Sequence, residues 1–238
     1  MAVTLIDMPV IKLVQETIDT RTFRLQPPAD FSMDWKPGQF ITVNFPDDPK
    51  TRRAYSLSNS PLDDHFLEIT IKQFGRMGTR IYDTAQVGSV LQVIPPRGKF
   101  LLPDDPALPV MLISGGSGVT PYRGMMRYLW QKRWPTRVVN LYSVRTDEEI
   151  IFHDEFSELC RLNPNFKFIV TCTRLSPDYT GWTGLRGRIN PDLVRQLTED
   201  AERTVYYACG SHEFVASLAQ MLREMGLPKQ RVIYEDWG

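Results

Sequence analysis

Three short segments carry residue types at spacings suited to chemistry. The first is Arg53-Ala54-Tyr55-Ser56. Residues two apart on a strand point the same way, so Arg53 and Tyr55 set a guanidinium and an aromatic plane on one face. A flavin nucleotide asks for that pair, a cation for its phosphates and a flat apolar surface beside its ring. Ser56 would add a hydroxyl for a ring nitrogen. An ordinary half-exposed strand with a surface arginine carries the same residues, and the motif alone is short. The second segment is Gly115-Gly116-Ser117-Gly118-Val119-Thr120-Pro121, between an apolar run and a helical pattern. Glycines there let a dinucleotide approach the backbone, and a helix N-terminus favours pyrophosphate charge. Pro121 stands where the third glycine of the usual fingerprint would be, and a plain tight turn is the other reading. The third segment is Ala208-Cys209-Gly210-Ser211, closing another apolar run. Ligands of parallel sheets bind outside the carboxyl ends of the strands, which would bring Cys209 near the glycine turn. A free cysteine also suits a small buried hydrophobe.

These segments need elements to position them. Up to about residue 100 the chain reads as strands at 10–14, 22–25, 40–45, 54–57, 67–74 and 90–94, parted by Asn, Asp, Gly and Pro clusters. Only 78–85 reads as helix, and the pattern predicts a small antiparallel barrel or sandwich. Three prolines within 101–109 mark a connector. Beyond it, strands at 110–114, 138–144, 166–172, 205–209 and 231–234 alternate with helices. Thr120 and Pro121 read as N-cap and first residue of a helix running to about 133, and Asn190-Pro191 opens another. Phe152, Phe156, Leu159 and Cys160 form one helical stripe. Phe214, Leu218, Met221, Leu222 and Met225 form another, stopped by Gly226. The predicted fold class is β plus α/β. An antiparallel β-barrel spans 1–103, and a doubly wound parallel-sheet nucleotide-binding domain spans 104–238.

Composition narrows the function classes. Lys plus Arg and Asp plus Glu number 28 each, so no global basic field exists for nucleic acid. Neither a signal peptide nor an apolar stretch of roughly 20 residues is legible, which predicts a cytoplasmic protein without membrane insertion. Cys160, Cys172 and Cys209 show neither metal-ligand spacing nor a disulfide framework, and His65, His153 and His212 show no zinc spacing. No metal is expected, and an electron-transfer role would require a bound organic cofactor.

Taken in order, Arg53-x-Tyr55-Ser56, Gly115-Gly116-x-Gly118-x-Thr120-Pro121 and Cys209-Gly210 resemble the ferredoxin–NADP reductase family. Pro37-Gly38-Gln39-Phe40, Pro96-x-Gly98-x-Phe100 and Glu235-x-Trp237 extend the resemblance over essentially the whole chain. It implies a flavin-binding barrel, a nicotinamide-binding α/β domain, FAD with NADPH or NADH, and hydride transfer between the two cofactors. Carried over by position, Arg53 and Ala54 would lie on the FAD pyrophosphate side and Tyr55 on the isoalloxazine, with Ser56 near N5. Gly78 and Thr79, at a short helix start, would offer amides to the same phosphates. Gly115, Gly116, Gly118, Thr120 and Pro121 would cradle the nicotinamide nucleotide. Cys209 and Gly210 would sit beside the nicotinamide and Glu235 near the reacting rings, while Trp237 would stack on the flavin or pack on the sheet. Ser56, Cys209 and Glu235 are thus the catalytic candidates.

A 2′-phosphate calls for arginine. Arg145, and Thr173-Arg174 where NADP-using relatives often have Ser-Arg, favour NADPH, although both arginines also suit solvated loops. Positive charge over 72–80 and at Arg52-Arg53 would suit an acidic partner. The expected acceptor is a redox protein (a ferredoxin or an oxygenase component) or a small molecule, served by a monomer. Free-flavin reduction and a non-catalytic electron-transfer or regulatory subunit are the alternatives.

Overall fold

The structure, a computed structural model, describes residues 4–237; residues 1–3 and 238, the outer ends of the two expected domains, lie outside it. The chain divides into two compact units. One holds the residues up to Leu102 together with Thr120–Tyr128, the other Pro103–Val119 together with the chain from Leu129 onward.

The first unit contains β1 (Ile6–Thr17), β2 (Thr20–Leu25), β3 (Phe40–Asn44), β4 (Arg53–Ser56), β5 (Leu67–Lys72), α1 (Gly75–Thr84) and β6 (Val90–Arg97). The strands form one antiparallel sheet in the order β4-β3-β6-β1-β2-β5. Its two ends are joined. Just past β4, Leu57 bridges Ile69 of β5, and the Ser58 amide donates to the Glu68 carbonyl at 2.8 Å. That closure makes the sheet the expected barrel and removes exposed edges along this stretch. Strand alternation explains its core: Leu67, Ile69 and Ile71 of β5 meet Phe23, Leu25, Ile41 and Leu91 inside. Each such side chain contributes roughly 1.5–3 kcal/mol by leaving water. The outward residues Glu68 and Thr70 are buried as well. Glu68 accepts from Arg123, in the 120–128 segment, at 2.7 Å, and Thr70 donates to Ser58 at 3.1 Å.

Several expected bounds shift in this unit, β1 running Ile6–Thr17 rather than 10–14 and β6 Val90–Arg97 rather than 90–94. Strand β5 ends at Lys72, not at 74, because the Gln73 amide turns to the Asp19 carbonyl and Phe74 to that of Lys72. The following helix then begins at Gly75 rather than 78.

The second unit contains β7 (Val110–Gly115) and, after a 3-10 turn over Gly116–Val119, α2 (Thr120–Gln131), whose residues up to Tyr128 group with the barrel. There follow β8 (Val138–Val144), α3 (His153–Leu162), β9 (Phe166–Cys172), β10 (Leu185–Arg186), α4 (Pro191–Leu197), β11 (Val205–Gly210), α5 (His212–Glu224) and β12 (Val232–Asp236). All neighbours in the order β10-β9-β8-β7-β11-β12 pair in parallel. The chain winds outward from β7 through β8 and β9, then returns to β11 on the other side of β7. The topological switch point, where such sheets bind ligands, therefore lies between β7 and β11.

Asn190 caps α4 by accepting from the Leu193 amide, and Gly226 ends α5 at φ +76°, both as the sequence indicates. Thr120 differs. The chain enters α2 through the 3-10 turn, so Thr120 is already helical rather than a cap. Among the described residues no helix is long and apolar enough to cross a membrane.

Candidate functional site

In the barrel unit, β4 presents Arg53 exposed and Tyr55 and Ala54 half-buried, while Ser56 is buried opposite Phe40 of β3. Burial drives the Tyr55 phenol upward and the Arg53 charge draws it back, as a cation and a ring on one strand face should. Helix α1 lies against this strand's ring. A Cβ on Gly78 would come within 2.8 Å of the Lys72 carbonyl and 3.8 Å of the Tyr55 hydroxyl, so glycine is what the approach allows. Gly78 and Thr79 are the fourth and fifth residues of the helix, not its start, and a regular ladder takes their amides. The amides left over at a helix start are those of Gly75, Arg76 and Met77, with no side-chain cap and no acidic residue in the first turn. An uncapped first turn near an arginine and a tyrosine fits a nucleotide pyrophosphate.

The cationic patch expected over 72–80 is largely compensated within the unit. Lys72 pairs with Asp19 at 3.1 Å, Arg80 with Asp47 at 2.7 Å and Arg76 with Asp48 at 3.7 Å. These pairings remove the argument for an acidic partner at this patch.

In the α/β unit the glycine turn and Cys209-Gly210 meet at the switch point. Ser114 of β7 stands in register with Cys209 of β11. A Cβ on Gly118 would sit 2.2 Å from the Cys209 carbonyl, so the turn is pressed on the end of β11. Gly115 and Gly210 flank one ring: a Cβ on either would come within 2.9 and 2.8 Å of Phe214. Gly116, at φ +55°, faces open space. Thr120 and Pro121 are both buried.

Cys209 is fully buried, and its thiol is pushed up by burial first and by Glu235 second, against a hydrogen bond with the Trp237 side chain. The Trp237 amide donates to the Gly210 carbonyl at 3.0 Å. Glu235 has one buried carboxylate oxygen without a partner, and burial together with Asp236 raises its carboxyl to about 7. Asp236 is paired with His212 at 2.8 Å. The Ser114 hydroxyl, also buried without a partner, is a second orphan at the strand ends. Such groups fit a polar ligand that would satisfy them. Sequence reading passed over Ser114, Phe214 and the His212–Asp236 pair. Ser114 hides as the last residue of an apolar run, while Phe214 reads as helix core.

The ends of β8 and β9 run side by side. Thr173 donates its amide and hydroxyl to the Val144 carbonyl, at 2.9 and 3.0 Å, and the Arg174 amide donates to the Arg145 carbonyl at 2.8 Å. This brings the two arginines to one edge. Arg145 Nε donates to Glu149 at 3.0 Å, whereas the exposed Arg174 side chain takes no partner among the described residues.

Comparison with known proteins matches two families to the chain in turn. Residues 7–101 match the oxidoreductase FAD-binding domain family, and residues 112–220 match the oxidoreductase NAD-binding domain family. The chain belongs to the ferredoxin–NADP reductase family. Its similarity to family members runs the length of the chain. The glycine betaine monooxygenase reductase subunit of Chromohalobacter salexigens is 31% identical over 231 residues, which cover 96% of this chain and 63% of that protein. The chain thus spans less than two thirds of that relative. Among solved structures, the FAD/NAD-binding domain of a Vibrio cholerae nitric oxide dioxygenase superposes with a TM-score of 0.84 at 25% identity, covering 98% of both chains. A ferredoxin NADP+ reductase from Neisseria gonorrhoeae, solved with bound FAD and NADP, shares the fold with a TM-score of 0.83 at 22% identity and 99% coverage of both.

Proposed function

We propose that this chain is a reductase that draws electrons from NAD(P)H, with NADPH preferred, through FAD and delivers them to a separate redox protein such as an oxygenase component or a ferredoxin. One observation carries the reading: a single chain holds both an exposed Arg53 beside Tyr55 with an uncapped helix start, and a glycine turn at a parallel-sheet switch point. A bound flavin accepts electrons in pairs and can release them singly, chemistry that no side chain of this protein supplies.

The protein's residues bind and orient. Arg53 and the first-turn amides of α1 take the pyrophosphate, with Gly78 and Thr79 shaping the helix behind them. Tyr55 backs the ring, and Ser56 and Ala54 line its polar edge. Gly115, Gly116, Gly118, Thr120 and Pro121 form the nucleotide cradle, while Cys209, Gly210 and Trp237 bound the nicotinamide. Glu235, held partly protonated near neutral pH, can hold or release a proton there. Arg174, and Arg145 in its pair with Glu149, favour a 2′-phosphate. The three thiols suit a reducing cytoplasm. Both cofactor surfaces lie on one chain, so a monomer suffices. The names of relatives support an oxygenase or ferredoxin outlet.

The test is purification followed by release and identification of the bound flavin, with steady-state ferricyanide reduction by NADPH and by NADH. FAD with higher kcat/KM for NADPH is expected. Absence of flavin, or a tenfold preference for NADH, goes against it.

A further inference from the structure

Between the segment 28–35, the residue before β3 and the end of β6 lies a cleft of about 580 Å³. Its walls are proline and aromatic: Pro28, Phe31, Trp35, Pro95 and Pro96. Two exposed carboxylates, Asp30 and Asp34, line it as well, and no Lys, Arg or His does. Neither carboxylate has an ion-pair partner among the described residues; Asp34 only accepts from the Ser32 hydroxyl at 2.9 Å. Trp35 is 5% exposed and its indole N–H finds no acceptor.

The cleft also borders the entry to β3. Gln39 lines it, and the Gln39 carbonyl accepts from the Leu57 amide at 2.9 Å. The next residue, Phe40, pairs with Ser56.

We infer that this cleft docks an extended segment bearing lysine or arginine, presented by the protein that accepts the electrons. Proline and aromatic walls suit an extended chain with little entropy to lose, as in polyproline recognition. Long cationic side chains lay their methylenes along such walls while their charged heads reach Asp30 and Asp34. Because the chain has no net charge, local fields of this kind select the partner. The polarity is opposite to that of residues 72–80, whose cations are already paired with Asp19, Asp47 and Asp48. The segment's attachment to an electron acceptor rests on the reductase reading; the docking chemistry does not.

The test combines calorimetry with kinetics. An acetylated and amidated Arg-Pro-Leu-Pro-Arg-Pro peptide is titrated into the purified full chain, beside a matched peptide with Glu for Arg. The arginine peptide should bind and the glutamate peptide should not, and D30N/D34N should weaken binding roughly tenfold. With cytochrome c, a lysine-rich redox protein, as acceptor, D30N/D34N should raise KM roughly fivefold while ferricyanide reduction stays unchanged. Equal binding of both peptides, or unaltered peptide affinity and cytochrome c KM in D30N/D34N, overturns the proposal. Peptide binding in a protein that reduces neither acceptor would instead overturn the reductase reading and with it the acceptor's identity.

Discussion

Arg53 is exposed on β4 beside a Tyr55 phenol that burial has pushed upward, which places its guanidinium at the surface where an anion can reach it. Charge-assisted hydrogen bonds of this kind contribute about 1.5–3 kcal/mol, roughly ten- to a hundredfold in affinity. R53A should therefore weaken FAD binding by that factor, with Tm of the flavin-free protein nearly unchanged; flavin fluorescence titration reads it. Glu235 allows a pH argument. Its carboxyl is raised from 4.5 to about 7 by burial first and Asp236 second. Between those values the folded chain holds a proton that the unfolded chain has lost. Stability from this group is therefore fully present below about 4.5 and falls as pH rises toward about 7. E235Q should flatten that slope, seen as a smaller drop in Tm across the window. An unchanged slope would place the orphan carboxylate outside the titration.

Elements hold these residues through contacts that differ in how far apart they lie in sequence. Glu68 of β5 is buried between Arg24 of β2 and Arg123 of α2, at 2.8 and 2.7 Å. Removing the carboxylate leaves the largely buried Arg123 charge without this partner, a change of the kind that costs about 3–5 kcal/mol. E68A should destabilise the protein by that order in chemical unfolding, and E68Q by less. The strands themselves were legible because alternation and continuous apolar runs are local signals. So were the caps at Asn190 and Gly226, where one residue type does the work. The Glu68–Arg123 pair was not legible, since its partners lie 55 residues apart and each reads alone as a surface charge. Strand β10, only Leu185–Arg186, is too short for any periodicity. The start of α1 was not legible, because it is set by the turn of the Gln73 amide toward Asp19, a contact far back along the chain. At the site, residue types announced the glycine turn and Arg53-x-Tyr55-Ser56. The orphan Ser114 hydroxyl and the flanking of Phe214 by Gly115 and Gly210 depend on strand register, which composition does not encode.

At the scale of the whole molecule, the chain carries two matched families in order, FAD-binding over 7–101 and NAD-binding over 112–220. The proposed function then puts nucleotide choice at Arg145 and Arg174 of the α/β unit. R174A should raise KM for NADPH roughly tenfold and leave that for NADH unchanged, because one charge-assisted contact to a 2′-phosphate is lost. R145A should do less, its guanidinium being held by Glu149. The most direct measurement of the central claim is anaerobic titration of the purified protein with NADPH, following the visible flavin band. The band should bleach with one NADPH per flavin and return when an oxidised redox-protein acceptor is added. A protein that binds flavin whose band excess NADPH leaves unchanged would contradict the account.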